Sequence, residues 1–266
     1  MELSLLSIVL LGIVEGLTEF LPVSSTGHLI LAGQMMDVPH GTETFDVVIQ
    51  LGAILAVVVL YRHRFAEVLA GLWRRDPGAI RFTRNVLLGF LPSAVMGALA
   101  YGAIKAMLLQ PMIVAVALIV GGVAILLIER MVRRPTFDSV EGLPVRVALG
   151  IGFVQCLSMI PGVSRSGATI MGALLLGVER RTAAEYSFFL AVPTMVGATT
   201  LALWKARHEL GDTQATAIAI GFFVSFVVAM VVIRWFLGVV TKHGFAPFAW
   251  YRIAAGGAAL IWLLAR

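Results

Sequence analysis

GIVEGLTEFLPVSSTGHLI, residues 12 to 30, recurs without a gap as GFVQCLSMIPGVSRSGATI, residues 152 to 170, a displacement of 140 positions. Gly12/Gly152, Val14/Val154, Leu17/Leu157, Val23/Val163, Ser24/Ser164, Gly27/Gly167 and Ile30/Ile170 are identical. Each copy is an apolar run broken by proline and then by a Ser/Thr/Gly cluster. The differences are chemical. The first copy holds Glu15, Glu19, Ser25 and His28 where the second has Gln155, Met159, Arg165 and Ala168. One copy thus carries acids and a nucleophile and the other a cation, as two halves of a single anion-handling site would.

The rest of the chain sets the medium in which that site works. Of 266 residues, 59% are hydrophobic and 13% charged, and the mean hydropathy is +0.96, more apolar surface than a soluble core of this size hides. The chain reads as an all-α integral membrane protein, a single membrane domain over residues 1–266. Its formal net charge of +5 belongs to membrane orientation and contact with anionic membrane lipids, and no nucleic-acid partner is expected. The lone Cys156 excludes an intrachain disulfide.

Six stretches, roughly 45–61, 86–104, 112–128, 186–204, 215–233 and 248–265, are long and apolar enough to serve as transmembrane helices. The last contains Arg252, which is expected to snorkel to the surface. Pro92 and Pro193 fall inside spans, where kinks are expected. The apolar runs on either side of each motif are too short to span. They predict two re-entrant helical hairpins, 1–36 and 143–178, with the motif copies at their tips, because irregular backbone at membrane depth persists only where it lines a polar cavity or is buried in protein. A hairpin plus three spans gives each half, about 1–135 and about 143–266, an odd number of crossings. The expected plan is therefore an inverted-topology repeat.

Fifteen of the 20 Lys and Arg residues fall on one side of this plan, Arg252 among them, against Lys105, Lys205, Arg207 and Arg266 on the other, with Arg165 set aside in the motif. The richer side is expected to be cytoplasmic, with the first hairpin opening outward. Trp204, Trp250 and Tyr251 stand near span ends as interfacial anchors do.

Glu15 and Glu19 lie four residues apart and share a helix face. Two carboxylates at membrane depth are costly unless they share a proton or hold a divalent cation, Mg2+ or Ca2+, against a phosphate. The competing structural assignment is that one of them caps the neighbouring hydroxyl cluster. Ser24, Ser25, Thr26 and Gly27 precede an apolar run as a helix start does, and backbone N–H groups with hydroxyls there cradle phosphate. Ser25 is the candidate nucleophile, activated by Glu19 or His28; the alternative is that Ser25 only binds phosphate and a water attacks. His28 sits where the helix dipole favours a neutral ring able to take a proton. Arg165, between Ser164 and Ser166 and ahead of Gly167, requires an anionic partner, and its planar fork suits phosphate oxygens. An internal ion pair to Glu15 or Glu19 is the competing assignment. Thr169, one turn on, is placed to add a hydroxyl to the same phosphate.

At these residues the chain resembles the bacterial undecaprenyl-diphosphate phosphatase family, also known as bacitracin-resistance proteins. EGLTEFLPVSSTGH, residues 15 to 28, and PGVSRSGAT, residues 161 to 169, correspond to that family's two signature blocks, and RRTAAEYSFFLAVP, residues 180 to 193, resembles a third. The resemblance implies an enzyme of the bacterial inner membrane that removes the terminal phosphate of undecaprenyl diphosphate with the help of a divalent cation. It further implies a site open to the periplasmic face and a product, the monophosphate, recycled as the lipid carrier of cell-wall synthesis. Carried onto this chain, it implies Glu15 and Glu19 for metal and proton transfer, Ser25 and His28 for the attack, and Arg165 with Ser164 and Thr169 for phosphate. A homodimer is left open. The rival is a transporter that flips a polyprenyl phosphate, which needs the arginine and hydroxyls but no nucleophile and base.

Overall fold

The computed structural model describes residues 3–36, 38, 43–108, 110–132, 135–206 and 212–265. Among these it is helical, and the β pairing is one isolated bridge between Phe137 and Val178. Arg133, Arg134, Arg207 and Arg266 of the charge tally lie outside the described residues, as do the side chains of Lys105 and Lys205.

The first motif copy joins α1 (Leu5–Thr18) to α2 (Ser25–Met35), and the second joins α8 (Val145–Gln155), extended by a 3-10 turn at Cys156–Met159, to α9 (Arg165–Leu175). With 14 residues, α1 is about 21 Å long, short of a hydrocarbon core of about 30 Å. Its chain then turns through Pro22, which cannot continue a helix. Each pair packs side by side, so both hairpins are present, with elbows at residues 19–24 and 160–164. Identical residues perform identical work in the two copies. Ser24 and Ser164 are the N-caps of α2 and α9, each accepting from the glycine three residues on. Both hold left-handed backbone, φ 72° and 78°, a conformation that costs a non-glycine residue about 1–3 kcal/mol and persists where its surroundings enforce it.

Four further helices are long and apolar enough to cross a membrane: α5 (Pro77–Leu99), α7 (Pro111–Met131), α11 (Asp212–His243) and α12 (Ala246–Leu264). The helices α3 (Glu43–Leu60) and α4 (Arg62–Trp73) reach that length and hydropathy only together, and they are bent by 72° at Tyr61, as a broken span or a re-entrant loop is. The 186–204 stretch lies inside α10 (Arg180–Ala206), which is not among those four. The 86–104 stretch is displaced. Asp76 Oδ2 accepts from Ala79 N at 2.8 Å and Pro77 takes the first helical position, so α5 starts there. It ends at Leu99, and a separate α6 (Tyr101–Leu108) follows. Pro92 and Pro193 do lie inside α5 and α10.

The hairpins are held by helices from the other half of the chain: α1 packs on α11, and α8 on α5. Glycine makes these seams close. A Cβ on Gly16 would lie 2.6 Å from the Ser225 carbonyl oxygen and 2.8 Å from Val228 Cβ, and one on Gly152 would lie 2.5 Å from the Gly89 carbonyl oxygen. Gly16→Leu is therefore expected to destabilise the fold by about 1–3 kcal/mol through overpacking, read as a lowered melting midpoint in detergent. An unchanged midpoint would show that the seam yields. At the centre of the large core, Phe20 of the first elbow meets Phe188 of α10 edge-on at 5.3 Å, and Phe188 in turn meets Phe236 of α11.

One expectation is overturned outright. Arg252 does not snorkel: it is 1% exposed, and its guanidinium donates to backbone carbonyls of α7 and of both elbows. Donors that find acceptors inside the protein do not need the membrane surface, and Arg252 leaves the orientation tally. Tyr251, half-exposed, also places its hydroxyl 2.8 Å from His28 Nε2.

Candidate active site

Glu19, the C-cap of α1, stands where the two elbows meet. Its Oε2 accepts from Ser25 Oγ at 2.5 Å, and its Oε1 accepts from Arg165 Nη2 at 3.2 Å. One carboxylate, buried at 4% exposure, thus joins the candidate nucleophile of the first elbow to the guanidinium of the second. The competing ion-pair assignment for Arg165 holds, and its partner is Glu19. Arg165 Nη1 donates to the Ser187 carbonyl at 2.8 Å. Its Nε is buried without a partner.

Glu15, one turn back on α1, is fully buried, and neither of its carboxylate oxygens meets a hydrogen-bond donor. Glu19, Asp46 of α3 and Arg165 all lie within electrostatic reach of it. Buried polar atoms without partners are rare in folded proteins and concentrate at functional sites. Here three of them, both Glu15 oxygens and Arg165 Nε, flank the same ion pair. The charge balance points the same way. Carboxylates outnumber the guanidinium at this spot, so a diphosphate, itself an anion, is repelled unless a cation or a proton compensates. Hard oxygen donors fit a divalent cation of the Mg2+ or Ca2+ type. No group of three or more His, Cys, Asp or Glu ligands occurs among the described residues, so Glu15 and Glu19 would hold such an ion jointly with phosphate oxygens and water.

The hydroxyls divide by role. Ser24 and Ser164 Oγ accept from Gly27 N at 3.3 Å and Gly167 N at 3.0 Å, as caps. Ser166 Oγ donates to the Leu21 carbonyl at 2.7 Å and lies 3.0 Å from Ser164 Oγ, tying the second elbow to the first. Thr169 Oγ1 donates back along α9 and lies 2.7 Å from Ser187 Oγ. It thereby braces the serine whose carbonyl holds Arg165. Thr26 is half-buried in the first turn of α2. Gly27 and Gly167 allow close approach: a Cβ would lie 3.0 Å from Val114 Cγ1 on the former and 3.2 Å from Ser164 Cβ on the latter.

His28 is not bonded to Ser25. Its Nδ1 lies 2.8 Å from the Ser24 carbonyl and its Nε2 2.8 Å from Tyr251 Oη, with the two rings stacked at 5.6 Å. A carbonyl only accepts, so Nδ1 carries the proton and, in the neutral ring, Nε2 accepts from the tyrosine. Of the two activators expected for Ser25, the geometry supplies Glu19. Sequence reasoning missed Ser187, Tyr251 and Asp46. Ser187 lies within the third block, the one signal that pointed to it.

Beside the first elbow an apolar, half-open cavity of about 540 Å³ runs between the end of α1, α11 and α12, lined among others by Leu17, Leu21, Val232, Trp235, Phe248 and Tyr251. Tyr251 faces both the cavity and, through its hydroxyl, His28.

The model of the bacitracin resistance protein BacA family matches residues 8–258. A protein named undecaprenyl-diphosphatase from Rhizorhabdus wittichii is 85% identical over 266 residues, the whole of both chains. Proteins of the same name from Sphingopyxis alaskensis and Novosphingobium aromaticivorans are similar as well. The first is 63% identical over 260 residues, 97% of this chain and 98% of the relative. The second is 56% identical over 268 residues, 99% of each.

Proposed function

The chain belongs to the bacitracin resistance protein BacA family, and from that premise we propose that it hydrolyses the terminal phosphate of undecaprenyl diphosphate, leaving the lipid monophosphate. The observation that carries this reading is the Glu19 bridge: one buried carboxylate in contact with Ser25 and Arg165, from elbows 140 residues apart. In a binding-only flippase Ser25 would have no use for a buried base 2.5 Å away.

Glu19 takes the Ser25 proton as the serine oxygen attacks the terminal phosphorus. The bond from that phosphorus to the bridging oxygen breaks, and the monophosphate departs with the bonding pair. Water then releases the phosphate from Ser25, with Glu19 returning the proton to the serine oxygen. Arg165 faces the charge spread over the transferring group, and its uncommitted Nε supplies a further donor. Glu15 and Glu19 would hold a divalent cation, which would supply neutralisation of the diphosphate charge. In this reading the two hairpins enter from opposite leaflets of a bacterial cytoplasmic membrane as inverted halves, and the site opens to the periplasmic face. The reaction then returns the lipid carrier to cell-wall synthesis and accounts for bacitracin resistance.

The apolar cavity fits the first isoprene units of the substrate, since Thr18, Leu21 and Val23 beside Glu19 line it together with apolar side chains of α11 and α12. Purified protein in detergent is expected to release inorganic phosphate from a long-chain polyprenyl diphosphate. Leu17→Trp, which fills the cavity, is expected to raise KM for that substrate about tenfold, the loss of roughly two buried methylenes, and to leave a short soluble diphosphate unaffected. No phosphate release by the parent protein would overturn the activity; equal effects on both substrates would remove the tail from the cavity.

A further inference from the structure

Arg252 lies outside the two motif copies, on α12, and its hydrogen bonding is complete. A guanidinium has five N–H donors, and each meets a different backbone carbonyl. Nε donates to Leu118 at 3.3 Å, Nη2 to Ala117 at 3.0 Å and Gly162 at 2.8 Å, and Nη1 to Pro22 and Val163, both at 2.9 Å. The acceptors come from three segments remote in sequence: the middle of α7, the first elbow and the second elbow. Pro22, Gly162 and Val163 lie outside the helices, so their carbonyls lack the ladder partners that helical carbonyls have, and without a donor they would be left unsatisfied at membrane depth.

We propose that Arg252 is a positioning residue: its fork latches the two elbows to each other and to α7, and so fixes the distance between the Glu19–Ser25 pair and Arg165. This rests on the phosphatase reading for its consequence in turnover, though not for the latch itself. Pro22 is three residues from Glu19 and three from Ser25, while Val163 is two from Arg165. A shift of either elbow therefore passes directly to the reacting groups. The surroundings are shaped to the fork. A Cβ on Gly121 would fall on Arg252 Nη2 and Cζ, and one on Gly167 would lie 3.3 Å from Nη1. Lysine, with three donors on one atom, cannot reach both elbows and α7 together.

The test compares Arg252→Lys and Gly121→Ala, the second of which leaves the arginine in place and displaces its fork, with the parent protein in detergent. Amide hydrogen exchange is followed by mass spectrometry, and kcat and KM are measured for release of phosphate from a long-chain polyprenyl diphosphate. In both variants exchange is expected to rise together in peptides covering residues 19–24 and 160–164. Turnover is expected to fall by about 10- to 100-fold with KM little changed, since an ångström of misplacement costs on that order. Gly16→Leu, the control for a general loss of stability at the seam of α1 and α11, is expected to raise exchange in those two helices and to leave residues 160–164 at the parental rate. Exchange that rises only around α12, or in neither elbow, overturns the latch. Loosening of both elbows with parental turnover overturns the positioning role. If both elbows loosen but the parent itself releases no phosphate, the latch stands and the phosphatase reading falls.

Discussion

Arg165→Lys lowers phosphate release from a long-chain polyprenyl diphosphate by roughly 10²-fold or more, and Arg165→Ala by roughly 10³-fold. The reason is directional. Arg165 places Nη1 on the Ser187 carbonyl and Nη2 on Glu19 while Nε remains uncommitted. A substrate phosphate entering beside Glu19 therefore meets a donor whose orientation is already fixed from α10. Lysine keeps the charge and loses that orientation. Alanine also strands the buried Glu19 carboxylate, a cost of about 3–5 kcal/mol when one partner of a buried pair is removed, and misfolding would then imitate catalytic loss. The Arg165→Ala, Glu19→Gln double variant removes the stranded charge. It is expected to recover the parental melting midpoint and to stay inactive. Parental turnover in Arg165→Lys, at parental stability, would take Arg165 away from the phosphate.

How much of this was legible in the chain depends on how far apart the participants lie. The elbows were legible because their signals are local: proline after a short apolar run, then a serine cap, twice. That the acids of one tip meet the arginine of the other followed from the asymmetry between copies; which of Glu15 and Glu19 pairs with Arg165 did not, and the structure gives Glu19. Individual partners were less so. His28 reads as a base for Ser25 because residues three apart share a helix face, yet both ring nitrogens are engaged elsewhere, by the Ser24 carbonyl and by Tyr251 of α12, a partner no local window contains. Thr169 reads as one turn from Arg165, and its contact with Ser187 of a different helix has no signal in that spacing. Arg252 was misjudged for the same reason. An arginine in an apolar run is costly unless its donors are met, and the five carbonyls that meet them come from α7 and the elbows, which no window around residue 252 contains. The α5 boundary is a different kind of miss: Asp76-Pro77 is a local start signal, overridden by a hydropathy window that began at residue 86.

Ser25→Ala is expected to lower kcat by roughly 10²- to 10⁴-fold while KM changes little, because the serine acts in the transition state rather than in holding the ground state. Glu19→Gln is expected to fall in the same range. The two are not independent. If Glu19 serves chiefly to take the Ser25 proton across their 2.5 Å contact, removing the base from a protein that already lacks the nucleophile costs little more, and the double variant is no worse than the poorer single one. Additive losses would separate their roles. A water attacking directly, with Ser25 only binding phosphate, predicts the opposite pattern for the serine: a raised KM, a modest fall in kcat, and no covalent phosphate on the protein. Rapid quenching during turnover of a substrate labelled in its terminal phosphate decides between them. Label trapped on the parent protein and absent from Ser25→Ala establishes the phosphoserine; label trapped on neither, with KM raised and kcat only modestly lowered in Ser25→Ala, returns the attack to water and leaves Glu19 as its base.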